Sequence, residues 1–156
     1  MYSRRGISVV RWAFTAVEMT IAVLIAGILI SVGAPRYLES LAHYRIEAAA
    51  RLVAMDLRLA RDQAIRTSSP QTVDFDALAE SYALPQCADP DRPAERYSVQ
   101  LATKYSVEVH SAEFGSVDLV QFDMYGKPTD SGAVVLRAGT RQRTIEVDAA
   151  GQVRIL

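Results

Sequence analysis

Few side chains in this sequence are spaced for chemistry. Asp74 and Asp76, and Asp89 and Asp91, are carboxylate pairs of the kind hydrolases use. Acid–base work also needs a pocket and two opposed environments, and spacing alone supplies neither. His43 and His110 are the only histidines, so metal clusters and histidine-based catalysis have little material. Cys87 is the only cysteine, which excludes an intrachain disulfide and any multi-cysteine zinc site. It is expected as an unpaired thiol. The chain has no Gly-rich phosphate loop, nucleophile elbow or HExxH pattern. The acidic residues between 76 and 96 are too sparse for a calcium loop. The expectation is therefore no enzyme, no cofactor and no metal. One reactive group remains, Glu18.

Glu18 is the single charge in the apolar run from Trp12 to Pro35. That run is long enough to span a bilayer as a helix. An acid inside a span costs about 2.5–3.5 kcal/mol and usually marks a function or a partner. Arg4, Arg5 and Arg11 precede the run, which places the N-terminus in the cytoplasm and the chain after Pro35 outside. A secretory signal has the same basic start, but its apolar core is shorter, and no clean small-x-small cleavage site follows here. A plain membrane anchor fits everything except Glu18. Beyond the basic leader the chain carries 14 bases against 18 acids, an acidic balance that argues against a body built to bind nucleic acid.

The residues Ala13, Phe14, Thr15, Ala16, Val17 and Glu18 resemble the class III signal of type IV pilins and type II secretion pseudopilins. The resemblance implies that residues 1–13 are a prepilin leader, cut between Ala13 and Phe14 by a prepilin peptidase that also methylates Phe14. The family usually has Gly before the cut, where this chain has Ala13. The resemblance also gives Glu18 a partner, the freed amino terminus of a neighbouring subunit. Opposite charges about 4 Å apart attract by about 4 kcal/mol at an effective dielectric near 20. Leaving either one unpaired in an apolar surround is worse than the pair is good, so the pair sets register more than stability. The implied location is the bacterial inner membrane, crossed once, with the C-terminal head in the periplasm until the subunit enters a filament.

The positioning elements follow from periodicity. Residues 14–35 form the transmembrane and filament-core segment, in which Gly27, Gly33 and Pro35 are read as packing or kink positions. Residues 36–66 form an amphipathic segment packing on the head. Leu38, Leu41, Ile46, Ala49, Leu52, Val53 and Ala60 form its apolar stripe, with Glu39, Arg45, Glu47, Arg51, Asp56 and Arg61 between them. Thr67-Ser68-Ser69-Pro70 ends the helix. Residues 67–156 then alternate with period two, predicting strands at 72–76, 97–101, 105–109, 117–122, 133–137, 143–147 and 152–156. Pro85, Pro90 and Pro93 make 76–96 a loop with at most a short strand near Tyr82. The predicted fold is α+β: a long N-terminal helix packed on a C-terminal antiparallel β domain.

The C-terminal third adds a second resemblance. Residues 122–128, FDMYGKP, and the closing hairpin ending DAAGQVRI are similar to the GspH/FimT branch, with Gly126, Gly151 and Arg154 at its motif positions. GspH-like proteins are minor pseudopilins near the tip of the type II secretion pseudopilus. FimT-like proteins belong to type IV pili, where some bind DNA through a Gly-Arg-x-Arg segment. Here Gln152 replaces the first of those arginines. Arg137, Arg141, Arg143 and Arg154 against Glu146 and Asp148 leave a weak basic excess for phosphate contact. The reading is a minor pseudopilin of a type II secretion system. Its implied partners are other major and minor pseudopilins, the peptidase, the inner membrane and the assembly platform. The alternative is a FimT-like minor pilin in pilus biogenesis or DNA uptake.

Overall fold

The computed structural model describes residues 15–89 and 91–156. Ala13 and Phe14 lie outside them. The first element, α1, is one helix, Ala16–Thr67, that passes through Pro35 without a break in its assignment. By length and composition it is apolar enough to cross a membrane. The chain divides into two compact units between Leu38 and Glu39.

In the first unit the described apolar side chains from Val17 to Ile30 are exposed on every side of the helix. A helix apolar all round has no stable place in water and calls for lipid or other helices around it.

In the second unit Ile46, Ala49, Ala50, Val53, Ala54, Leu57, Ala60 and Ala64 are buried. Five of these eight are alanines, so this face of the helix is smooth. Two four-stranded antiparallel sheets complete this unit. The first has the order β3-β2-β1-β5, from β1 (Gln71–Asp76), β2 (Ser81–Ala88), β3 (Arg96–Gln100) and β5 (Leu119–Phe122). The second has the order β4-β6-β7-β8, from β4 (Glu108–Phe114), β6 (Gly132–Ala138), β7 (Arg141–Val147) and β8 (Val153–Ile155). A short helix, α2 (Leu101–Tyr105), separates β3 from β4. Phe75 of β1 joins the two sheets, 5.7 Å from the Tyr82 ring and 6.1 Å from the Phe114 ring. One continuous apolar core results.

Four expectations need correction. Leu38, placed on the stripe that packs on the head, is exposed, and the buried stripe begins at Ile46. The 76–96 stretch holds more than a short strand near Tyr82: β2 is an eight-residue strand inside its sheet, and Pro85 lies where the β2–β3 register shifts between Leu84 and Ala88. A proline is tolerated in a strand at such an irregularity. Residues 105–109 are not one strand. Leu101–Tyr105 coils into α2, Ser106 ends it in a left-handed conformation, and β4 begins at Glu108 and continues to Phe114. Asp56, assigned to the polar face, is 4% exposed. It falls three residues after Val53 and four before Ala60, on the buried stripe itself.

Candidate functional site

The apolar N-terminal segment begins with a local device. Thr15 precedes the helix and its Oγ1 accepts the Glu18 amide at 3.2 Å, one half of a capping box. Glu18 is thus the third residue of the first turn, where a carboxylate also meets the positive end of the helix dipole. Its carboxylate is exposed and has no ionic partner among the described residues. Gly27 has open space where a side chain would stand. Among the described residues nothing uses that space. Gly33 and Pro35 lie inside α1.

The two motif glycines meet. Asp123-Met124-Tyr125-Gly126-Lys127 and Asp148-Ala149-Ala150-Gly151-Gln152 form the same turn twice. In each, the Asp amide donates to the carbonyl four residues on, at 2.8 Å to Lys127 and 3.0 Å to Gln152. The glycine amide donates back to the Asp carbonyl at 2.9 Å in both. The Asp Oδ1 accepts two amides, from Tyr125 and Lys127 in one turn and from Ala150 and Gln152 in the other. Gly126 and Gly151 have φ of +76° and +75°, which glycine adopts without strain. A Cβ on Gly151 would overlap the Gly126 carbonyl oxygen and lie 3.2 Å from Arg61 Nε. One on Gly126 would lie 2.7 Å from Ile65 Cδ1. The clasp therefore seats both turns on the C-terminal end of α1. Sequence reasoning found the glycines and missed Asp123, Asp148 and Arg61. The repeated D-x-x-G was the available signal.

Further polar contacts tie the second sheet to the same helix. Arg58 Nη2 donates to the Val153 carbonyl at 2.8 Å, and Arg143 Nε donates to Glu47 Oε2 at 3.1 Å. The Arg143 guanidinium, aided by Arg51, holds the Glu47 carboxyl below the usual carboxylate range. Arg137 donates through Nε and Nη2 to Glu108 Oε2, at 3.0 and 2.7 Å. The four candidate arginines do not form one face. Arg137 and Arg154 alternate out of register with the buried residues of their strands, whereas Arg141 and Arg143 share the side of Ile145. Arg154 stands across from Glu146. Two of the four cations are thus already neutralised within the chain.

A further polar cluster was missed altogether. Asp56 Oδ2 accepts Tyr82 Oη at 2.5 Å and Tyr97 Oη at 3.0 Å. Burial pushes the Asp56 carboxyl up from its ordinary value, against the two phenol hydrogen bonds that favour its charged form. Burial and the neighbouring carboxylate likewise raise both tyrosines. Cys87 is a free thiol in β2, half-buried, 3.3 Å from Gln63 Oε1.

The family model for the type II transport protein GspH matches residues 49–151, from the buried half of α1 to the second clasp glycine. No curated protein matches the chain. The type IV minor pilin FimU of Pseudomonas aeruginosa has a similar structure, with TM-score 0.56 and 13% identity over 73% of this chain and 90% of that one. So has the minor pseudopilin EpsH from the type 2 secretion system of Vibrio cholerae, with TM-score 0.55 and 14% identity over 72% of this chain and 96% of that one. At such identities the likeness is one of fold, and the fold is pilin-like. A match across well over half of its length, on the elements that build the helix, both sheets and the clasp, makes this chain a member of the GspH family.

Proposed function

We propose that the protein is a minor pseudopilin of a type II secretion system, assembling at or near the pseudopilus tip to support export across the outer membrane. The observation that carries the assembly reading is the stretch of α1 from Val17 to Ile30, where the apolar side chains are exposed on every side and Glu18 is the single charge. Such a surface needs lipid before assembly and neighbouring helices after it. Cleavage between Ala13 and Phe14, methylation of Phe14 and pairing of Glu18 with a neighbour's new amino terminus complete this reading. Residues 14–35 then serve as anchor and filament core, the amphipathic segment 36–66 packs on the head through its part from Ile46 onward, and the β head at 67–156 meets other tip subunits or cargo in the periplasm. The role is structural, without catalysis.

Type II secretion is favoured over the type IV pilus by charge. Glu108 and Glu47 engage Arg137 and Arg143, and Gln152 stands where a DNA-associated arginine would be. Phosphate affinity scales with the number of free cations, and of the four C-terminal arginines Arg137 and Arg143 are already in ion pairs. A clean deletion strain, scored for extracellular enzyme release and in parallel for piliation and DNA uptake, tests the choice. Lost secretion with intact pili and uptake supports the proposal. Lost piliation or uptake with normal secretion overturns it in favour of a FimT-like minor pilin.

A further inference from the structure

Asp56 is a buried carboxylate with unused capacity. Oδ2 takes both phenol hydrogen bonds, while Oδ1 has no hydrogen-bond partner and the carboxylate no ion pair among the described residues. The residue lines a cavity of about 310 Å³ together with Leu59, Gln63, Cys87, Ala88 and Tyr97. Its walls are largely apolar, and Leu59 and Met55 stand exposed along the same side of α1. The other titratable groups around it are Tyr82 and Cys87 of β2, Tyr97 of β3, Lys104 and Tyr105 of α2, and Asp89 beyond β2. Among the described residues Lys104 is the one cation acting on Asp56, and it does so through space while lying over the Tyr105 ring at 5.6 Å. A buried carboxylate is costly unless paired, and an apolar-walled cavity beside it suits a cation carried on an alkyl stem.

We propose that this cavity receives a lysine or arginine side chain from a neighbouring subunit, its charged end on Asp56 and its stem against Leu59 and Ala88. The neighbouring-subunit source rests on the filament reading, whereas recognition of the alkyl cation does not. The two tyrosines hold the carboxylate in place, and Oδ1 is left for the incoming N–H donor.

The single cysteine makes the test direct. The full chain in detergent is labelled at Cys87 with N-ethylmaleimide, at fixed pH, with increasing n-butylammonium or n-butylguanidinium. n-Butanol and butyrate serve as controls. The expected result is saturable protection of Cys87 by the cations alone, weakened about tenfold or more in Asp56→Asn. A second measurement needs no variant. In the unmodified chain, butylammonium-induced shifts of the Cys87 and Ala88 amide resonances fade as acid protonates Asp56. Equal protection by butanol, undiminished binding in Asp56→Asn or at acid pH, or no protection at all would overturn the proposal. Because the assay contains no filament, its failure leaves the secretion reading to its own experiment.

Discussion

Gly151 packs against the Gly126 carbonyl so closely that the two turns leave no room for a side chain between them, and Arg61 of α1 closes the third side. The relationship joins two hairpin ends that are distant in sequence, and it explains why both positions hold glycine. Gly139 provides the control. Its φ of +60° is also left-handed, yet nothing lies within 4 Å of an added Cβ. Gly139→Ala should therefore cost only backbone strain, about 1–2 kcal/mol. Gly151→Ala adds the overlap with backbone, roughly another 1–3 kcal/mol. Urea midpoints for the two variants check the ordering. Equal losses would mean that the clasp relaxes freely.

Glu18 stands in the first turn of α1, and in the proposed filament it would also pair with a neighbouring subunit; chemistry separates the two roles. Glutamine serves a capping box as glutamate does but carries no charge. If charge pairing between subunits governs assembly, Glu18→Gln and Glu18→Val are both processed normally and both fail to enter filaments. Shear fractions probed for the subunit give the answer. Normal incorporation of the Gln variant, with failure of the Val variant, would reduce Glu18 to a helix cap. Thr15→Ala, by comparison, should cost about 1 kcal/mol of helix stability.

The strands that alternate cleanly were legible: β1, β5, β6 and β7 each lie within a residue or two of their predicted span. So was the helix end at Thr67, where Ser68 turns left-handed at φ +51°. β2 was not, because Pro85 reads as a breaker until its bulge is seen. Asp56 was hidden by its charge. Its spacing already placed it on the apolar stripe, but an acid is assigned to solvent until two phenols are found to receive it. Clasp and cavity alike depend on contacts between residues far apart in the chain, which periodicity does not encode.

Asp56 and Glu47 should make opposite contributions to the pH dependence of stability. The folded state raises the Asp56 pKa, so its contribution is fully present below the ordinary aspartate value of about 4 and is lost as pH rises through the folded value. The folded state lowers the Glu47 pKa, so its contribution is present above the ordinary glutamate value and lost as pH falls through the folded one. Asp56→Asn should thus gain on the parent as pH rises from 4, and Glu47→Gln should lose on it, by small amounts since that ion pair is solvent-screened. Denaturation midpoints across the acid range read both slopes. Parallel curves for all three proteins would reject this assignment.

Arg61 offers the sharpest test of what the clasp requires. Its stem packs beneath Gly126, while its Nε is buried without a hydrogen-bond partner among the described residues. An unsatisfied buried donor costs about 1–3 kcal/mol, and an apolar replacement of similar shape can recover it. Arg61→Met keeps the stem and removes the donor, so stability should rise by about 1 kcal/mol. Arg61→Ala also removes the donor but leaves the glycine turns unsupported, so stability should fall. Thermal midpoints of the two variants are the measurement. A loss in the Met variant as large as in the Ala variant would show that the guanidinium itself, rather than its carbon stem, holds the turns on the helix.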